Sequence, residues 1–386
     1  MRMLQRAGVA GALLSGLAIA QINAVFVTHE RVLEDGQVRV YTGARAFTVH
    51  SAADLEPLVA RLAREARPAR FVYDAARGWI AVEKLGYGFD LDEVRAAYRE
   101  ALEAGRTQFV LPVRVVEPEV SVADLARWGV RELLAEGRTS FRGSSAGRVH
   151  NIRLGAQKID GTLIPPGTVF SFNAAVGPIT REAGFGDSLV IVGDRTELGV
   201  GGGICQVSTT VYRAAFFAGL PIVERRAHSY QLAYYHPVGL DAAVYQPWLD
   251  LKFRNDTPGY ILVQAHVQGQ ELVVRFFGTR DRTVDWEGPF ISDRHPPPEP
   301  RYVLDSSLPP GAVKQVDWAA EGATVRVERT VRYADGRVVR EVFTSRYRPW
   351  GAVYLVGPEP KPEPEPQAVG AAGQAALPLP PMLSPP

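Results

Sequence analysis

The chain holds one cysteine, Cys205, in 386 residues. A single thiol cannot form an intramolecular disulfide, so no framework of bridges holds this fold. Neither charge is in excess: 43 Lys and Arg stand against 42 Asp and Glu, a net charge of +1. That balance argues against bulk electrostatic capture of nucleic acid or of an anionic lipid surface. His150, His228 and His236 lack the compact ligand spacing of a metalloprotease helix, so no metal is expected. The triple glycine Gly201-Gly202-Gly203 lacks the lysine and spacing of a phosphate loop, which removes nucleotide binding; no cofactor is expected. What is present is ordinary globular composition, 22% charged and 46% hydrophobic, in a chain long enough for two or three domains.

The amino terminus carries Arg2 and Arg6, then the apolar run Ala7 to Ala20 ending in Ala18-Ile19-Ala20. Basic residues, an apolar stretch and a small-x-small site are the pattern of a secretory signal. Ile22 to Val27 is again apolar, so residues 1–24 read either as a cleaved signal or as an uncleaved anchor approaching the length of a membrane span. Both readings place the working compartment outside the cytoplasm, with membrane contact only through this segment. A lone cysteine in an exported chain marks a reactive thiol or an intermolecular pair.

Residues 25–138 predict a compact α+β module. Ser51 to Asp54 form a capping box, followed by Leu55, Leu58, Val59 and Leu62 at helical spacing. Arg70–Asp74 and Trp79–Glu83 read as strands about Gly78, and Asp90 caps a second helix that Gly105 ends. Thr107–Val116 reads as a strand interrupted by Pro112. Residues 139–287 form a glycine-rich middle domain, and 288–300, rich in proline, a linker. Residues 301–356 predict a small all-β module with a hairpin about Ala334-Asp335-Gly336-Arg337. Residues 357–386 are a Pro-rich tail of disordered composition. The fold class expected is α+β multidomain.

Three resemblances follow this division. "GYGFDLDEVRAAYREALEAG" and "LPVRVVEPEVSVADL" resemble a peptidoglycan-binding domain that accompanies cell-wall cross-linking enzymes. "SLPPGAVKQVDWAAEGATVRVERTVRYADGRVVREV" resembles the extracellular G-five domain, associated with N-acetylglucosamine-containing polymers. "SSAGRVHNIRLGAQKIDGTLIPPGTVFSFNAAVGPITREAGF" and "GGGICQVSTTVYRAAFFAGLPIVERRAHSYQLAYYHPVGLDAAVY" resemble the VanW family, from Phe141 to about Gly278. That family is named from accessory genes of vancomycin-resistance clusters, and the resemblance supplies no reaction. Together the three imply a bacterial cell-envelope protein whose partner is peptidoglycan, glycan and stem peptide.

The chemistry of the middle domain rests on its residues. Val207, Val211, Ala214, Ala215 and Ala218 share a helical face after the glycines, so Cys205 stands at a helix start. Unpaired N–H groups and the positive dipole end favour thiolate there. "LPIVERRAHSY" reads as a strand leading to His228, and "GLDAAVY" puts Asp241 at the start of the next. This order resembles transglutaminase-like and papain-like folds: Cys205 as nucleophile, His228 as base and Asp241 as its orienter, with His236 and Asp250 as substitutes. Gly201, Gly202 and Gly203, with Gln206, Asn151 and Asn173, are candidate binding residues, the two asparagines also suiting loop bracing. The competing reading keeps Cys205 inert and apolar, His228 bonded to backbone and Asp241 in a turn. The domain is then a non-catalytic binding module, or a scaffold for wall-synthesis enzymes.

Overall fold

The computed structural model describes residues 21–192 and 195–359. Helices α1 (Leu55–Leu62), α2 (Leu91–Glu103) and α3 (Val122–Arg127) precede α4 (Ala146–Ile159), α5 (Phe172–Val176) and α6 (Ile204–Phe217). Strands surround them in several sheets, and the whole is an α+β multidomain protein.

The N-terminal module opens on a hairpin of two 13-residue strands, Ile22–Glu34 and Gln37–Val49, in full antiparallel register. Asp35 and Gly36, both at positive φ, make its two-residue turn. Ile22, Ala24 and Phe26 alternate inward onto α1 and α2. The apolar run Ile22–Val27 is therefore the start of a strand with one buried face, and the expected boundary at residue 24 falls inside that strand. Residues 1–20, with the rest of the signal or anchor expectation, lie outside the described residues. Among the described residues no helix is long and apolar enough to cross a membrane. Asp90 accepts the amides of Asp92 and Glu93 at the start of α2, and Asp54 accepts those of His50 and Ser51 before α1.

The core of the middle domain is a four-stranded antiparallel sheet in the order Glu132–Ser140, Glu271–Gly278, Ile261–Gln268, Leu163–Ile164. The first strand crosses the expected boundary at residue 138, because its inward side chains belong to this sheet. Helices α4 and α6 cover one face. α6 lies so close to the first strand that a Cβ on Gly137 would stand 2.1 Å from the Thr210 carbonyl oxygen. Against the other face the N-terminal module places Phe71, stacked on Phe277 with centroids 4.2 Å apart. Gln264 seals the joint by accepting the Phe71 amide at 2.7 Å and donating to its carbonyl at 3.1 Å.

The C-terminal module contains a three-stranded sheet, Arg282–His295, Gly322–Tyr333 and Val338–Tyr347. A smaller one pairs Arg301–Leu304, Val353–Val356 and Val313–Asp317. The expected linker at 288–300 is thus corrected: its first eight residues complete a strand. Gly288 and Pro289 fall at a register shift between Glu287 and Phe290, where a bulge absorbs them without ending the pairing. Of the expected tail, residues 360–386 lie outside the described residues.

Candidate active site

The turn before α6 fixes where Cys205 stands. Gly201 and Gly203 take positive φ, and a Cβ on Gly202 would meet the Leu189 carbonyl oxygen at 2.4 Å. Only glycine fits this tight path between the hairpin Asp187–Val200 and the helix. Asn151 braces it from α4, donating to the carbonyls of Gly186 and Gly202 at 2.9 and 3.0 Å. Ile204 and Gln206 give their amides to Gly201 and Gly203. Among the described residues the Cys205 amide has no such acceptor. Gly219 at positive φ closes the helix, and the Leu220 amide reaches back to Ala215.

His228 and Asp241 meet beside the thiol. Both are buried, on extended segments joined by one bridge between Arg226 and Ala243 rather than on the regular strands expected. Asp241 Oδ2 accepts His228 Nδ1 at 2.6 Å and the His228 amide at 2.8 Å. Its Oδ1 accepts Tyr347 at 2.5 Å and Arg225 at 3.2 Å. Both carboxylate oxygens are thus spent, and the imidazole is held in one orientation with Nε2 free. Nε2 is buried without a hydrogen-bond partner of good geometry, while the Cys205 thiol points at the Val244 carbonyl oxygen, 3.5 Å away. Such looseness between nucleophile and base is usual before substrate binds. Tyr235 stacks on the imidazole with centroids 4.7 Å apart.

The electrostatics follow from burial and pairing. Burial pushes the Cys205 thiol up, but the neighbouring His228 imidazole outweighs it and brings the thiol below its ordinary value. Burial disfavours a charged imidazole, yet Asp241 and Cys205 raise His228 to about 9. Burial also opposes ionisation of Asp241, but His228 and Arg225 hold it well below the usual carboxylate range. A charge pair of thiolate and imidazolium, steadied by a carboxylate, is the state these shifts favour. Arg148 of α4 adds a further lowering influence on the thiol.

The site opens into a cleft of about 1140 Å³ between the middle domain and the C-terminal module. Gly201, Gly202 and Gly203 line it together with Tyr234, Tyr245, Trp318 and Arg346. Other candidates lie elsewhere. Gln206 is fully buried and donates to Thr139 at 3.1 Å, so it faces the sheet and not the cleft. Asn173 donates to the Leu249 carbonyl, and Asp250 accepts from Ser171 and the Asn173 amide at the start of α5; both fasten loops. His236 lies on a separate small pocket with Arg138 and Glu271. The structure thus brings His228, paired with Asp241, to the cleft that Cys205 lines, and places His236 and Asp250 elsewhere. Arg225, Tyr235 and Tyr347 were not singled out in the sequence. Arg225 lies three residues before His228 and was within reach of a local search, whereas nothing local marks Tyr347.

An α+β protein whose middle domain lines an interdomain cleft with a cysteine and a histidine, the histidine backed by a buried aspartate, is the class these features define. Residues 147–277 match the family described as VanW like protein, and the chain carries a VanW-like domain. It is 35% identical over 175 residues to the uncharacterized protein YoaR of Bacillus subtilis (strain 168), covering 45% of this chain and 57% of that one. It is 28% identical over 138 residues to the vancomycin B-type resistance protein VanW of Enterococcus faecalis (strain ATCC 700802 / V583), covering 34% and 50%. The chain spans about half the length of these curated relatives. Among solved structures it is similar to an IgA1 protease G5 domain, with 16% identity, TM-score 0.14, and coverage of 20% of this chain and 94% of that one. It is also similar to the HP0197-G5 domain, with 19% identity, TM-score 0.11, and coverage of 20% and 99%.

Proposed function

We propose that this is a cell-envelope protein whose VanW-like domain is a cysteine-dependent acyl-transfer enzyme acting on amide bonds of wall peptide. The observation that carries the reading is the buried His228–Asp241 pair at 2.6 Å with its free Nε2 on the side of the only thiol. In the reaction the Cys205 thiolate attacks the amide carbonyl carbon, and the carbonyl electron pair moves to oxygen. The unshared Cys205 amide and the positive end of α6 suit that oxyanion. The C–N bond breaks as the His228 imidazolium gives its proton to the departing amine, leaving a thioester on Cys205. Water or a second amine then attacks the thioester, giving its proton to His228 and releasing the thiolate. Water makes the enzyme an amidase, and an amine makes it a transpeptidase.

The cleft supports the substrate class. Arg226, Arg346 and Arg348 are exposed along it, against one acidic lining residue, Asp317. Wall stem peptides offer carboxylates to such a surface, and guanidinium groups suit them. The flanking modules would hold the enzyme on the wall, as their resemblances imply. The test is incubation of the purified chain with peptidoglycan and analysis of muropeptides. Wild type is expected to release or join muropeptides, and Cys205→Ser to do neither. A wall-binding module without chemistry would leave the pattern unchanged while Cys205→Ala still sediments with peptidoglycan, and that result overturns the proposal.

A further inference from the structure

The C-terminal module touches the candidate site directly. The Tyr347 hydroxyl donates to Asp241 Oδ1 and accepts the Gly239 amide at 2.9 Å, so one group from this module pins both the carboxylate and the loop that carries it. Ser345, two residues earlier on the same strand, accepts from Arg225 at 2.8 Å. Arg225 in turn donates to the carbonyls of Asp241 and Gly239. The loop after His228 is fastened to the same module: the Arg348 amide donates to the Ser229 carbonyl at 2.7 Å, and Tyr230 stacks on Trp350 at 4.0 Å. At the far end of α6, buried Arg329 donates to the carbonyls of Phe216 and Leu220, and Arg282 to that of Gly219. Cations at a helix C-terminus satisfy its orphan carbonyls and oppose its dipole. The module therefore grips the nucleophile's helix at one end and the histidine and carboxylate loops near the other.

We infer that Tyr347 is a positioning residue of the Cys205 site, which makes the C-terminal module a working part of the catalytic unit rather than a wall anchor alone. The inference rests on the acyl-transfer reading above. Asp241 can serve His228 only while Oδ2 faces Nδ1. The His228 amide helps to hold Oδ2, and on Oδ1 Tyr347 makes the closer contact, 2.5 Å against 3.2 Å for Arg225, so its hydroxyl is the main anchor of that oxygen. Without the hydroxyl, the imidazolium loses part of its partner and the thiolate loses part of its stabilisation. The charged and titratable groups around the pair are Arg148 on α4, Arg213 and Tyr212 on α6, Arg225 and Tyr235 on the connecting segments, and Tyr347 itself. Arginine stays charged throughout, and burial raises all three tyrosines above their ordinary range, so none titrates near neutrality.

The test uses the full chain and its single cysteine, with the rate of alkylation by iodoacetamide followed against pH. Wild type should show a midpoint below that of an ordinary thiol, and His228→Gln should move it up. Tyr347→Phe, which keeps the ring, should also move it up, with alkylation several-fold slower at pH values beneath the midpoint. A role in module packing only would lower the melting temperature and leave the midpoint in place, and that result overturns the inference. If His228→Gln also leaves the wild-type profile unchanged, the cysteine–histidine reading itself has failed, which separates the two outcomes. Should Tyr347→Phe not fold by circular dichroism, Ser345→Ala carries the same test. An upward shift smaller than that of His228→Gln supports the inference, and no shift overturns it.

Discussion

The two flanking modules meet the middle domain in different ways. The N-terminal module packs Phe71 flat on Phe277, away from the cleft; it adds the Gln264 amide clasp on the Phe71 backbone and a half-exposed Arg70–Asp160 ion pair, which solvent screens. The C-terminal module uses buried arginines and a tyrosine hydroxyl, and these reach the ends of α6 and the His228–Asp241 pair. An apolar joint supplies cohesion without direction. Charged and hydroxyl groups fix orientation, and a buried one left unpaired is costly. If the proposed reaction holds, loss of the first joint should weaken the assembly and loss of the second should disturb the chemistry.

Substitutions on the two sides should separate stability from reactivity. Asp241→Ala is expected to have the largest effect. It strips the carboxylate from buried Arg225, Tyr347 and His228 together, and should cost about 3–5 kcal/mol in urea unfolding and raise the alkylation midpoint of Cys205. Phe71→Ala should cost about 3 kcal/mol or somewhat more in the same unfolding experiment and leave that midpoint where it is. A shifted midpoint in this variant would erase the distinction between the joints.

The pH dependence of stability sharpens the contrast. His228 rises from 6.5 to about 9 on folding, so its contribution is complete below pH 6.5 and fades as pH climbs through 9. The stability gap between wild type and His228→Gln should be widest near pH 6, at most about 3 kcal/mol, and shrink towards pH 9.5. A gap that grows over that range would contradict the pairing. Asp90→Ala in the N-terminal module should have the smallest effect. It removes the cap of α2, about 1 kcal/mol in unfolding, with no change at the thiol.

How much was legible in the sequence depended on the range of each signal. Asp90 and the Ser51–Asp54 box are local, and both helices begin where these residues put them. The hairpin at Asp335-Gly336 is equally local. The long hairpin Ile22–Val49 is weakly marked in the sequence because its second strand is exposed on both faces nearly throughout and buries no apolar stripe. The helix start at Cys205 was readable from the glycines, and His228 with Asp241 from their order. Their location on loops braced by another module was not, since Tyr347 lies 106 residues from Asp241. Gln206 faces the core because one helical step from Cys205 turns its side chain through about 100°.

The central claim is that Cys205 carries an acyl group during turnover. Intact-mass spectrometry of the chain, quenched in acid shortly after mixing with soluble muropeptides, tests it most directly. The account predicts a mass increment equal to a stem-peptide acyl fragment, mapped to the Cys205 peptide and released by hydroxylamine, and absent in Cys205→Ala. An unmodified Cys205 in wild type that is turning over muropeptides in the same tube would contradict it.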